Sequence, residues 1–521
     1  MKCPSILPAF ALAFLFSFFS CCVLVPSAAA QGTGVPAETA RLATQASFRE
    51  YIDLLSLPND AANPADIVKN VEWLEAAFRK RGFTTQQLPN NGKPLMFGEY
   101  KQKVAGAKTI LVYMHFDGMP VTPENWAQKS PWVPVLKQRN AQGAWEATDM
   151  AQLFGANINP EWRVFARSSS DDKGPIMMFL AAFDAMKAAG VEPAVNVKVI
   201  LDSEEEKGSV NIGNVATAHR ELLRADAILI HDGPRHASEK PTLVFGNRGN
   251  TTARLTVYGP RSELHSGHYG NYAPNPAQRL ATLLASMKDD NGRVTIPGYY
   301  DRVKLTDAER RILAEVGDDE AVIRKRIGIA RAETVGATLQ EAIQYPSLNI
   351  RGMAASGVGE RASNVVPSLA LAELDLRTTP EAAPEYLFNL IEQHVRSKGY
   401  YLTKGAPTDA ERAAHDRIAS LTLGRGSKAA RTPMESPLGQ WVDGVLRKTF
   451  SVNGAEATTV RIRMMGGSVP TDKLVDALET PFVIVPLVNG DNNQHSHDEN
   501  MRLGHYFDGV RTLLGLLRTA Y

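Results

Sequence analysis

Four short apolar runs, Thr109–Met114, Val195–Leu201, Ala227–Ile230 and Phe482–Val488, lie far apart in the chain, and each leads into histidine or acidic residues. Runs of this length without polar alternation read as strands buried on both faces, and helical stretches such as Ile176–Lys187 lie between them. The pattern predicts an α/β fold with a mostly parallel sheet covered by helices. One of those helices is expected to be capped at Asn63, to have Pro64 in its first turn and to stop at Gly82. Within it Ile67, Val71, Leu74 and Phe78 share one face. The middle of the chain reads differently. Arg254–Tyr258 and Leu369–Arg377 alternate with period two, and Thr306–Ile343 is charged and helix-forming. An inserted α+β domain is therefore expected over residues 248–410. The first domain then spans 38–247 and 411–521, with Gly424–Thr432 as a return linker and the chain back in place near Pro437.

At 521 residues the chain is long enough for more than one core. Its 57 basic residues against 56 acidic ones give a net charge of +1, which supplies no field for a polyanion and argues against a nucleic-acid partner. Lys2, an apolar run from Ile6 to Val25 and Ala28-Ala29-Ala30 have the order of a secretory signal over residues 1–30. That order predicts export, periplasmic or secreted, with no membrane association after cleavage. An uncleaved anchor and lipid attachment at Cys21 are the alternatives. Cys3, Cys21 and Cys22 all fall in this leader, so the remaining chain can hold no disulfide, thiol nucleophile or cysteine-ligated zinc.

In an open α/β sheet, ligands bind beyond the carboxyl ends of the strands. Here those ends carry His115-Phe116-Asp117, Asp202-Ser203-Glu204-Glu205-Glu206, His231-Asp232 and the loop to His495-Ser496-His497-Asp498-Glu499. Ser170-Asp171-Asp172-Lys173-Gly174, just before a helix, can reach the same crevice. Each cluster alone is more readily a surface turn, a solvated acidic stretch or helix-dipole chemistry. Together they place several carboxylates in one crevice, where they repel unless cations neutralise them. Imidazole with carboxylate suits zinc, or else manganese or cobalt. No G-x-S-x-G elbow follows a strand, which speaks against a serine hydrolase.

The ordered motifs His115-Phe116-Asp117, Arg167-Ser168-Ser169-Ser170-Asp171-Asp172-Lys173-Gly174-Pro175, Glu205-Glu206-Lys207-Gly208-Ser209 and Asp232 open a longer pattern. Leu264-His265-Ser266-Gly267, Gly466-Gly467-Ser468-Val469-Pro470 and His495-Ser496-His497-Asp498-Glu499 complete it. From about Phe48 onward the chain resembles the M20 dinuclear metallopeptidases, in particular the carnosinase and cytosolic-dipeptidase branch. The resemblance implies a catalytic domain interrupted by a lid that pairs two protomers into a homodimer. It implies two divalent metal ions, zinc in preference to manganese or cobalt. Asp171 would bridge them, His115 and Asp232 would complete one site, and Glu206 and His495 the other.

Asp117 would orient His115, and Glu205 would be the general base. In the lid, His265 would donate to the substrate carbonyl oxygen. Arg377, with Asn364, Gly467 and Ser468, would hold the substrate, Arg377 through its carboxylate. Three positions depart from the pattern: Ser168 replaces a glycine, Met465 replaces an acidic residue, and His497-Asp498 replaces Pro-Asn. His497 therefore competes with His495, whose spacing to Glu499 fits better. The expected function is an exported metal-dependent exopeptidase acting on dipeptides or short peptides. An N-acyl amino acid deacylase is the alternative, and an inert metal-binding homologue a further one, against which retention of Glu205 speaks.

Overall fold

The computed structural model describes residues 33–467 and 471–521, so the leader and Ser468 lie outside the described residues. Eight strands form the main sheet in the order Phe83–Leu88, Leu95–Tyr100, Asn196–Asp202, Thr109–His115, Ala227–Ile230, Phe482–Ile484, Thr242–Val244 and Val460–Ile462. The four central strands are parallel to one another, and the antiparallel pairings lie toward the edges. The continuous apolar runs follow from this burial. Ile110, Val112 and Met114 enter one core with the helices Pro64–Lys80, Lys173–Ala189 and Leu503–Arg518. Leu111 and Tyr113 enter the core on the opposite face, beside Ile212, Val215, Leu474 and Leu478. A strand covered on both sides has no polar face to reveal a period of two.

The helix at Pro64–Lys80 forms as expected, with Ile67, Val71, Leu74 and Phe78 buried. Asn63 occupies the N-cap position but accepts no helix N–H; its amide donates to Asp66 Oδ2 at 2.7 Å.

The insertion is a five-stranded sheet in the order Ser347–Ala354, Leu369–Thr378, Gly249–Tyr258, Ile418–Ser427 and Tyr401–Leu402. The helices Pro276–Ala285 and Pro384–Ser397 cover its buried face through Leu280, Leu283, Leu284, Leu387, Ile391 and Val395. Ile418–Ser427 pairs along Gly249–Tyr258, so this part of the expected second catalytic segment (411–521) belongs to the lid sheet. The expected linker Gly424–Thr432 likewise begins inside that strand, and Ala430–Arg431 pairs with Gly246–Asn247. The chain thus re-enters the main domain as a strand close beside the one on which it left.

Candidate metal centre

Four strand ends and one helix start bring the acids and imidazoles together. Thr109–His115 lies between its parallel neighbours Asn196–Asp202 and Ala227–Ile230, so His115, the Glu204–Glu206 turn and Asp232 emerge at one edge. Asp171 arrives two residues before the helix Lys173–Ala189. His115 Nε2 lies 2.8 Å from Asp171 Oδ1. His495 Nε2 lies 3.1 Å from Asp171 Oδ2 and 3.3 Å from Glu206 Oε2. Two sets result, His115–Asp171–Asp232 and Asp171–Glu206–His495, each with its ligand atoms within 4.8 Å of one another. Asp171 is common to both, with one oxygen toward each imidazole.

Electrostatics set the character of this cluster. Burial, reinforced by the charge of Asp171, pushes the Glu206 carboxyl up to about 8 and that of Asp232 up to about 6. Burial would raise Asp171 too, but the imidazoles of His115 and His495 outweigh it and hold its carboxyl well below the usual range. The close approach of the Asp171 carboxylate is what most raises His495, to about 9. Protons are thus retained where positive charge is needed. Asp171 Oδ2 is buried, and its approach to His495 lacks hydrogen-bond geometry, so it has no hydrogen-bond partner among the described residues. A bridging carboxylate with an unmatched oxygen, between two imidazoles and two further acids, fits a pair of divalent cations.

The surrounding residues hold this geometry. Asp117, fully buried, accepts the Glu205 N–H at 2.9 Å through Oδ1 and the Glu206 N–H at 3.1 Å through Oδ2. Its backbone oxygen lies 3.2 Å from His115 Nδ1, which leaves Nε2 to face Asp171. Glu204 turns away and pairs with Lys93, so the three adjacent glutamates separate in role. Glu205 belongs to neither ligand set, although the Asp117 clamp fixes its backbone beside them. His231, next to Asp232, is directed to Val485 O at 3.0 Å, and burial drops its pKa to about 4. His497 Nδ1 lies 3.4 Å from Ser496 Oγ and is in neither ligand set among the described residues; the imidazole in the cluster is His495.

One contributor went unrecognised in the sequence. Glu499 is fully buried and accepts the N–H groups of Ser168 at 2.8 Å, Ser170 at 2.9 Å and Asp171 at 3.0 Å, while Arg167 pairs with it at 2.7 Å. The His495–Glu499 spacing marked this residue, but nothing in that spacing showed that its carboxylate shapes the Asp171 loop.

The expected substrate-binding residues lie on the lid and on the loop after Met465. His265 ends a two-residue strand paired with Val365–Val366, and Ser266 N–H donates to Asn364 O at 2.9 Å, so His265 and Asn364 are neighbours. The contacts of His265 are local: Nδ1 accepts the Gly267 N–H at 3.1 Å, and its ring lies 4.9 Å from that of His268. Arg377 sits on Leu369–Thr378 opposite Asn250, with Nε 3.8 Å from Asp375 Oδ2. Gly467 is exposed at the end of the described loop that follows Met465.

Comparison with known proteins agrees with this architecture. The chain is 26% identical to the Cys-Gly metallodipeptidase of Schizosaccharomyces pombe over 455 residues, covering 85% of this chain and 87% of that one. An M20 family metallo-carboxypeptidase from Sulfolobus solfataricus superposes with a TM-score of 0.68 at 24% identity, over 91% of this chain and 98% of its own. The dipeptidase Dug1p from Saccharomyces cerevisiae gives 0.65 at 20% identity, over 94% and 98%. These relatives correct the expectation of export: the yeast Cys-Gly metallodipeptidases, similar over most of this chain, are cytosolic enzymes. No helix among the described residues is long and apolar enough to cross a membrane. Residues 111–519 match the description of peptidase family M20/M25/M40, and the chain belongs to that family, as a hydrolase of the metallopeptidase kind.

Proposed function

We propose that this chain hydrolyses dipeptides at a two-cation centre, with Glu205 carrying the proton. The observation behind this reading is the pair of ligand sets sharing Asp171. Two divalent cations held by His115, Asp171 and Asp232 and by Asp171, Glu206 and His495, zinc in preference to manganese or cobalt, would supply Lewis-acid polarisation of the scissile carbonyl and acidification of water. Glu205, beside both sets and part of neither, takes a proton from the attacking water and returns it to the leaving amine nitrogen. Asp117 keeps that carboxylate in place through the Glu205 N–H. The carbonyl oxygen becomes negative as water adds, and His265 is the lid donor assigned to it, reaching across a homodimer formed through the lid. Arg377 takes the substrate's free carboxylate with Gly467, Ser468 and Asn364 around it.

Glu205→Gln tests this assignment. The variant is expected to retain two metals per chain while dipeptide turnover falls by about 10²–10⁴-fold or more. Turnover at the wild-type rate would remove Glu205 from the mechanism. Release of acetate or succinate from N-acyl amino acids, without cleavage of dipeptides, would replace the substrate class.

A further inference from the structure

Beside the main sheet a smaller one runs in the order Asn500–Arg502, Arg163–Phe165, Val135–Arg139 and Trp145–Ala147. Leu136, Val164 and Met501 carry one face of it into the core of the main domain. The register sets Val135 opposite Phe165, Lys137 opposite Arg163 and Ala147, and Arg139 opposite Trp145. Alternation therefore puts Lys137 on the other face, with Val135, Trp145 and Phe165. A cavity of about 440 Å³ is lined by these four side chains and by Asn493 and Asp498. The last two bracket His495 in the chain, but no member of either ligand set lines the cavity. Its volume falls in the range of small-molecule sites, about 300–1,000 Å³.

Lys137 is 6% exposed, yet no group among the described residues hydrogen-bonds or ion-pairs with its Nζ, which lies 4.3 Å from the centre of the Phe165 ring. A ring face offsets the burial of an ammonium only in part. Burial lowers the pKa of Lys137 from its ordinary 10.5, and the charge of Asp498 counters that fall without an ion pair forming. Asp498 is half-buried, and its Oδ1 accepts the Ala127 N–H at 3.0 Å. Lys129 also lines the cavity, from an exposed position. A cation and an anion thus border one space without meeting, between the apolar walls of Val135, Trp145 and Phe165.

We infer that this cavity binds a free α-amino acid with an apolar side chain, its carboxylate on Lys137 Nζ, its ammonium on Asp498 and its side chain against Trp145 and Phe165. A zwitterion matches both charged groups at once and adds no net charge. A simple carboxylate would leave Asp498 unmatched, and a simple amine would leave Lys137 so. The bound amino acid would touch both ends of the segment 493–498, within which His495 lies.

The test uses the metal-loaded, full-length protein and three probes: phenylalanine, 3-phenylpropanoate, which lacks the ammonium, and phenethylamine, which lacks the carboxylate. Calorimetry on wild type is expected to show phenylalanine binding at about millimolar or tighter, and the other two at least about 10-fold weaker. Lys137→Met removes the charge from an unbranched side chain and should weaken phenylalanine by about 10–100-fold. Asp498→Asn keeps an oxygen for the Ala127 N–H and should weaken phenylalanine more than 3-phenylpropanoate. In wild type, acetylation of Lys137 by acetic anhydride, read by peptide mass spectrometry, should slow in proportion to the fraction of protein bound. Phenylalanine that leaves Lys137 unprotected and binds Lys137→Met as tightly as wild type would sit elsewhere, at the metal centre for instance, and overturns the inference. So does 3-phenylpropanoate binding as tightly as phenylalanine, or no binding of phenylalanine to wild type. Should Lys137→Met fail to fold, the probe series and the protection of Lys137 in wild type decide. None of these readouts needs catalysis, so their outcome is separate from that of Glu205→Gln.

Discussion

Asp117 fixes three groups at once: the His115 ring and the backbones of Glu205 and Glu206. Asp117→Asn removes one acceptor while preserving shape, and is expected to weaken metal binding by about 10–100-fold, read by competition with a chelator. Wild-type affinity in that variant would mean that the clamp is dispensable. Glu499 is the stronger case for stability, since its carboxylate meets three N–H groups and Arg167 inside the protein. Glu499→Gln leaves Arg167 a buried, unneutralised cation, and should cost about 3–5 kcal/mol in urea unfolding. That the segments carrying His115, Asp171, Glu206, Asp232 and His495 converge was legible because they follow strand ends or precede a helix, whereas the part given to each residue came from the resemblance of the ordered motifs. The latch of Glu499 was not legible, because a carboxylate that accepts backbone N–H groups has no sequence period. The choice between His495 and His497 rested on spacing alone, whereas the fold separates them by what each imidazole touches.

At the scale of elements, the parallel strands were readable because both their faces are covered, and the lid strands because one face is wet. Ile418–Ser427 escaped that reading: Ile418, Ala419 and Ser420 are buried and Leu421 half-buried, but Thr422–Gly426 is exposed and contains Gly424-Arg425-Gly426, so it reads as a linker. Glycine is required where the lid strand begins. A Cβ on Gly249 would come within 2.4 Å of Ser427 O and of Thr378 Oγ1. Gly249→Ala should therefore force the lid strands apart and lower stability by about 1–3 kcal/mol, measured by denaturant unfolding. An unchanged midpoint would show that the lid root yields freely.

The whole molecule carries two responses to solution conditions. Cations that bind the folded cluster and not the unfolded chain stabilise by mass action, about 2.7 kcal/mol when free metal stands at 100 times its dissociation constant. Chelation should accordingly lower the melting temperature, and Asp171→Asn should blunt that response. The second response lies far along the chain. His505 is 4% exposed, and burial with the nearby charges of Arg235 and Arg502 pushes its pKa down to about 4 from an ordinary 6.5. Between those values the unfolded chain binds the extra proton, so stability falls as pH drops through that window, by up to ~3 kcal/mol. His505→Asn should flatten this part of the pH–stability curve; an identical slope in the variant would place the acid sensitivity elsewhere.

The Glu499 latch also orders events during synthesis. Its carboxylate receives the Asp171 N–H from 328 residues earlier in the chain. Synthesis must therefore pass Glu499 before the loop carrying the shared aspartate can settle, and a nascent chain stopped short of it would have no finished cradle in which to trap metal. Hydrolytic power would then wait on a carboxylate made long after the loop it secures.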